Sequence, residues 1–408
     1  MRGGVVMVEA RVDVGSAGGR PRFRLLDLLR LVAALSVVLY HYTARDSSAW
    51  SGSLPLELWA PLSGVTVYGF LGVELFFLIS GFVVLMSAWS SDLPGFVASR
   101  VGRLYPAYWF AVLLTGSLLF FDRSIDVGGS WASVGPSGIL VNLTMFQTAF
   151  GVPHVDGVYW TLWAELKFYI IVGLLVLVRV TRARIIVLAT AWPILAAFVS
   201  QFQLPALSEI LMPDYAPFFA AGMLLFLAYR EGWSIATILP LALNWIAIVR
   251  GVYVEQAAPG PHLPTNPNVV VLVYATFVIA IALVTQTQLS AVRWRWLTAA
   301  GALTYPLYLI HEIAGWWLIG KLYPALPKTL VLLLVIVIML VVAYMVNRII
   351  EQPIGRRLRR VLEASLRRPS PGDVLAEGSS RKRAADASPP SDSRAPDADA
   401  AARVRAVD

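Results

Sequence analysis

Residues 28–42 read LLRLVAALSVVLYHY, an apolar run that holds Arg30 near one end and His41 near the other. At about 100° per residue, eleven positions close to within roughly 20° of three full turns, so both side chains share one helix face about 16 Å apart. Three other apolar segments also carry ionisable groups: Glu74 in YGFLGVELFFLISGF, Glu165 in YWTLWAELKFYI, and His311 with Glu312 in ALTYPLYLIHEIAGWW. Imidazole titrates near neutrality, and a carboxylate beside it raises its basicity. Such a pair can take a proton from a hydroxyl while the oxygen attacks a carbonyl. The same residues also suit a proton relay in a transporter, or polar ties between helices. Arg100 and Arg103, in ASRVGRLYPAYW, read either as a topology anchor or as a phosphate clamp, since a guanidinium fork grips two phosphate oxygens at once. A thioester donor that carries phosphates would fit such a clamp.

The elements that hold these groups must cross lipid. The chain has 408 residues, 58% of them hydrophobic and 14% charged, with a mean hydropathy of +0.68. That leaves too little polar surface for a soluble particle of this size. Apolar windows at 25–44, 64–88, 104–121, 157–178, 185–203, 215–229, 234–250, 268–289, 297–319 and 329–350 predict an all-α polytopic bundle of about ten transmembrane helices. Merging the short windows 215–229 and 234–250 would leave nine. On this count Arg100 and Arg103 fall in a loop between the second and third spans. Arginines at 179, 182, 184, 230, 293, 295, 356, 357, 359 and 360 fall on the same side as the basic N-terminus. The opposite connections hold Asp46, Glu57, Asp122, Asp126, Asp156, Glu209, Asp214 and Glu255, which predicts cytoplasmic termini at both ends. Ionisable groups within lipid cost at least about 2.5–3.5 kcal/mol each and usually face a bundle interior. By residue counting, His41, Glu74, Glu165 and His311 reach similar depth in the half away from these arginines.

The net charge of +8 resides mainly in the tails, which argues for membrane anchoring and against a nucleic-acid partner. There is no cysteine, so thiolate chemistry and disulfides are excluded. No H-E-x-x-H or dense carboxylate pattern predicts a metal. Residues 1–21 are expected to form a disordered basic tail without a cleaved signal peptide, 22–360 one membrane domain, and 361–408 a disordered cytoplasmic tail. The connection 122–156 contains a stretch, 139–150, expected to lie on or dip into the outer surface.

Taken in order, these segments resemble the acyltransferase-3 family of bacterial inner-membrane O-acyltransferases. LDLLRLVAALSVVLYHY is similar to its first helix, with the R-x10-H spacing at Arg30 and His41. GVELFFLISGF resembles G-V-D-L-F-F-x-x-S-G-F, with Glu74 for Asp, and RVGRLYPAYW carries R-x-x-R followed by L-Y-P. YWTLWAELKFY is similar to W-S-L-x-x-E-x-x-F-Y, with Thr161 for Ser and with Trp160 and Glu165 in place. LTYPLYLIH, holding Tyr305, Tyr308 and His311, resembles S-Y-x-L-Y-L-x-H, and EQPIGRR resembles a closing E-x-P signature. The resemblance implies transfer of an acyl group, commonly acetyl, from cytoplasmic acyl-CoA to an extracytoplasmic hydroxyl on a glycan, a glycolipid or a glycosylated small molecule. It implies the stand-alone form, without an appended SGNH domain, and a multi-pass protein of the bacterial cytoplasmic membrane. Acyl-CoA enters as a substrate, and no tightly bound cofactor is expected.

On this reading Arg30, Arg100 and Arg103 are donor-side residues, and His41, Glu165 and Glu74 are catalytic candidates. His41, oriented by Glu74 or Glu165, would act as general base, with the Arg30-to-His41 rise as a ruler for the donor arm. An acyl-histidine intermediate is the alternative to direct transfer. Trp160, Tyr305, Tyr308 and His311 are candidates for acceptor contact or for structure, since tryptophans near a membrane interface also form belts. A proton-coupled transporter built on the same His and Glu residues is the competing reading, and a lipid-linked glycosyltransferase a further one.

Overall fold

A computed structural model describes residues 23–122, 134–258, 260 and 262–367. The expected disordered tail at 1–21, residues 368–408 of the C-terminal tail, and Asp126 lie outside the described residues. The long helices are α1 (Arg24–Thr43), α2 (Gly72–Ala88), α3 (Leu93–Phe121), α4 (Trp160–Leu177), α5 (Arg182–Gln201) and α6 (Ala216–Glu231). They continue as α7 (Ile235–Ala257), α8 (Pro267–Gln286), α9 (Arg295–Ile310), α10 (Glu312–Leu322), α11 (Lys328–Val346) and α12 (Gln352–Leu366). Among the described residues nine helices are long and apolar enough to cross a membrane. The window at 297–319 is not one of them, because α9 and α10 are separate helices that meet at His311, each too short alone. Together they complete the polytopic helical bundle. The windows at 215–229 and 234–250 are distinct helices, reversing at Gly232, whose φ of 84° lies in the left-handed region that glycine adopts without strain.

Local sequence explains where several helices begin. Asp92 accepts from the Gly95 N–H at 3.2 Å and, with Pro94 in the first turn, starts α3. Thr181 caps α5, Ser234 and Thr237 form a capping box on α7, and Asn266 precedes Pro267 at the start of α8. Two expectations change here. Arg100 and Arg103 stand on helix α3 and not in a loop, because the cap at Asp92 starts the helix at Leu93, eleven residues before the apolar window at 104. The final helix also runs to Leu366, beyond position 360, since the arginine-rich sequence that follows the last span is a good helix former once it is outside lipid.

The core is set by α2 and α6, whose hydropathic windows are each 72% buried, against 22–33% for the spans of α5, α7, α8 and α11, which turn Val187, Ile235 and Leu272 outward. The α2–α6 crossing depends on glycine. A Cβ on Gly81 would stand 2.2 Å from the Phe219 carbonyl oxygen, and one on Gly222 2.1 Å from that of Leu78. On either side α1 packs against α9 and α2, and α3 packs against α12. The segment 134–156 folds over the end of α3, where Tyr108 donates to the Asn142 carbonyl at 2.8 Å and Asn142 bonds the backbone of Gly138, Pro153 and Val155. Leu140 and Phe150 on this segment remain exposed. Two cavities among the described residues lie toward opposite ends of the bundle.

Candidate active site

The break at His311 organises the first cavity, of about 490 Å³. A helix interruption leaves backbone groups without intrahelical partners. The Tyr42 hydroxyl donates to the His311 carbonyl at 2.7 Å, and Asp156 Oδ2 accepts from the Ile313 N–H at 3.4 Å. Asp156 Oδ1 also accepts from Val158 N at 3.3 Å, so one buried carboxyl steadies the start of α10 and the turn leading into α4.

This frame brings His41, His311 and Glu312 together in the interior, none more than 6% exposed. Carbonyl partners fix both histidine tautomers, because a carbonyl oxygen only accepts. His311 Nδ1 donates to the Tyr308 carbonyl at 2.8 Å, which leaves its Nε2 to accept from His41 Nδ1 at 3.1 Å. His41 Nδ1 donates also to the Val37 carbonyl at 2.9 Å. The lone pair of His41 Nε2 is therefore free, and Glu312 Oε1 lies 3.4 Å from it. Arg45 Nε stands 3.6 Å from the same oxygen. Gly157 lets the backbone close on this carboxylate, since a Cβ there would fall 2.5 Å from Glu312 Oε2. Burial and the neighbouring Glu312 push the Asp156 carboxyl well above the usual carboxylate range. Glu312 is the carboxyl of the two that lies beside the His41 ring.

The carboxylate within ion-pair distance of His41 is accordingly Glu312, and not Glu74 or Glu165 as expected. Glu74 lines the same cavity from α2. Glu165 lines the other one, where its Oε1 accepts from Ser80 at 3.0 Å and Tyr169 at 2.6 Å. Counting residues gives depth only to about a turn, and one turn separates Thr161, which donates to the Tyr308 hydroxyl at 3.1 Å, from Glu165. Trp160 lies in the wall of the His41 cavity, its ring 5.1 Å from that of Tyr215.

The second cavity, of about 740 Å³, opens at the end where Arg30, Arg100, Arg103, Arg356 and Arg359 gather. Arg30 pairs with Asp27 at 3.9 Å, as their i,i+3 spacing suggests. Arg100 donates to Ser87 and Ser99 at 3.1 Å and lies over the rings of Phe96 and Tyr169. Arg103 pairs with Glu351 and lies 5.4 Å from the ring of Tyr305, whose hydroxyl donates to the Leu104 carbonyl at 2.9 Å. Glu351 ends a π-helical turn, 347–351, in which Asn347 donates to its other oxygen at 2.8 Å; such turns often mark functional positions. The charge run after EQP held the signal for Arg356 and Arg359, and HE at 311–312 held that for Glu312. Five guanidinium groups against Asp27, Glu165 and Glu351 give this cavity a formal positive excess. The two cavity linings share Val73 and Tyr308, so the spaces approach each other with that layer between them.

The chain matches a family described as "Acyltransferase domain" over residues 23–348. It is 32% identical over 196 residues to nodulation protein 10 of Rhizobium leguminosarum bv. viciae, covering 43% of this chain and 50% of that protein. It is 28% identical over 156 residues to acyltransferase MdmB of Streptomyces mycarofaciens, covering 36% and 38%. Over 160 residues it is 28% identical to a protein of Bacillus subtilis (strain 168) named as a putative peptidoglycan O-acetyltransferase, YrhL, covering 36% and 22%. The matched segments thus span half of the first relative and less of the other two. No solved structure matches the chain. A multi-pass helical bundle with a histidine and a carboxylate at the floor of one cavity and arginines around another is what the matching region folds into, and the chain belongs to the acyltransferase-3 family of membrane O-acyltransferases.

Proposed function

We propose that the protein moves an acyl group, acetyl in the first instance, from an acyl-CoA in the arginine-lined cavity to a hydroxyl in the His41 cavity. The acceptor is a glycan, a glycolipid or a glycosylated small molecule. The observation that carries this reading is the pair of cavities set end to end, with Tyr308 and Val73 between them and the free lone pair of His41 on one side. In this reading the arginine end faces the cytoplasm of a bacterium, as its charge suggests, and the His41 cavity faces outward. The three donor-side candidates, Arg30, Arg100 and Arg103, all line the second cavity, and the names of the relatives support acyl transfer as the chemistry.

Phosphates of the donor meet the guanidinium groups, and the pantetheine arm runs along α1 toward His41, a rise of about 16 Å. His41 Nε2 takes the proton from the acceptor hydroxyl as its oxygen bonds to the thioester carbonyl carbon. The carbon–sulfur bond breaks, and the imidazolium returns the proton to the departing thiolate. The Glu312 carboxylate stabilises the positive ring between these steps. Replacing Glu312 with glutamine is expected to lower kcat by about 10²-fold, the scale of one lost electrostatic contact to a developing charge. Steady-state rates with saturating donor check it. Replacing Arg100 with glutamine is expected to raise the KM for acyl-CoA by roughly ten-fold or more, the equivalent of one charge-assisted contact. An unchanged KM would remove Arg100 from the donor site.

Labelled acetyl-CoA, supplied to the arginine end of membrane vesicles, tests the function itself. Label in a glycan, lipid or small-molecule fraction with the wild type and not with His41→Ala supports acyl transfer and names the acceptor class. Label in none of them, with folded protein present, overturns it in favour of another donor or of transport.

A further inference from the structure

The His41 cavity has a charge character opposite to that of its neighbour. Its lining carries the carboxylates of Glu74, Glu255 and Glu312 against the single guanidinium of Arg45, and that guanidinium is turned to Glu312. Among the described residues no cation pairs with Glu74 or Glu255. Glu74 is the more telling of the two. It stands in the first turn of α2, its Oε2 is shut off from solvent, and that oxygen accepts no hydrogen bond among the described residues. Glu74 itself is half-buried and lines the cavity, so a cation there meets the carboxyl from its accessible side and offsets the cost of ionising a group whose other oxygen is buried without a partner. Glu255, at the exposed end of α7, adds a second negative charge to the same lining.

The lining also carries aromatic side chains. Tyr40, Phe70, Trp160 and Tyr274 all face the cavity. Carboxylate together with ring faces is the combination that holds an aliphatic ammonium group, one by charge and the others by their quadrupoles. A hard divalent cation is a poorer fit, because it needs six or more oxygen ligands and gains nothing from rings. We propose that the acceptor carries a basic amine, held by Glu74 with support from Glu255, which places a nearby hydroxyl at His41. The proposal rests on the acyl-transfer reading above and narrows its acceptor to amine-bearing glycosides or glycosylated metabolites.

The test uses the full chain in lipid nanodiscs and two soluble probes. One is methyl β-D-glucopyranoside and the other is its 3-deoxy-3-dimethylamino counterpart, whose tertiary nitrogen takes no stable acyl group. Binding of each is followed through tryptophan fluorescence or calorimetry, without donor. The wild type is expected to bind the amine-bearing probe at least ten-fold more tightly than the neutral one. Glu74→Gln is expected to abolish that ratio while leaving acetyl-CoA binding intact, which also shows that the variant folds. Should Glu74→Gln fail to fold, Glu255→Gln, at an exposed position, decides the matter with an expected several-fold drop in the ratio. Equal binding of the two probes to the wild type overturns the proposal in favour of a neutral polyol. So does a preference that survives in the folded variants. Loss of label transfer from acetyl-CoA in the wild type, with the binding ratio intact, would instead strike the acyl-transfer reading and leave the ammonium site standing.

Discussion

Replacing His41 with glutamine is expected to lower kcat for acyl transfer by about 10²–10⁴-fold, the range of a missing general base, while acyl-CoA affinity stays as it is. The separation follows from the architecture, since His41 lines the cavity away from Arg30, Arg100 and Arg103. Glutamine keeps much of the side-chain volume and has a group able to donate to the Val37 carbonyl, but it has no basic nitrogen to take a hydroxyl proton. Initial rates of label transfer, measured beside direct acetyl-CoA binding, check both halves. An equal fall in donor affinity would place His41 in the donor site, and an unchanged kcat would remove it from the chemistry. Exchanging His41 with Val38 keeps the composition and moves the imidazole by about one turn. That double variant is also expected to be inactive, and retained activity would end the idea that the Arg30-to-His41 rise measures the donor.

The second large effect is on the fold. Gly222→Val puts a branched side chain where even a Cβ would stand 2.1 Å from the Leu78 carbonyl oxygen and 2.9 Å from Gly81 Cα. These are backbone atoms of a facing helix, so neither can rotate away. The crossing must open, with a loss of about 3 kcal/mol or more from overpacking. A lower unfolding midpoint in detergent and loss of monodisperse protein are the expected signs. An unchanged midpoint would show that α2 and α6 do not cross at these residues.

Much of this architecture was legible in the sequence, for reasons that differ by element. Apolar length alone located the spans, because hydrocarbon thickness is a strong and simple constraint. The shared face of Arg30 and His41 followed from helical period, and the structure sets the two residues toward opposite ends of α1. Depth was harder. Glu165 and Glu74 were expected at one depth, yet they line different cavities on either side of the layer at Tyr308, and no residue count resolves a wall one side chain thick. The partner of His41 was overlooked for another reason. Glu312 adjoins His311 in sequence, where an unbroken helix would send the two side chains apart by about 100°. Only the interruption at His311, secured by Tyr42 and Asp156 from distant segments, lets both residues meet His41. The loop expected at Arg100 and Arg103 failed because hydropathy reports where lipid ends and not where a helix does.

The layer of Val73 and Tyr308 also bears on voltage. Across an ordinary span the membrane potential falls over about 30 Å of hydrocarbon. Where water enters from both ends, it falls mainly over what separates the two waters, and here that is little more than a tyrosine ring and a valine. An elementary charge carried through such a layer would exchange about 2.3 kcal/mol with the field for every 100 mV. An acyl group has no charge. Handing it from sulfur on one side to oxygen on the other leaves a thiolate behind and a proton on His41, and the return of that proton through the layer to the thiolate cancels the charge displaced, so a completed transfer does no net electrical work. The position of the transfer equilibrium is therefore expected to be the same in an energised membrane as in a depolarised one.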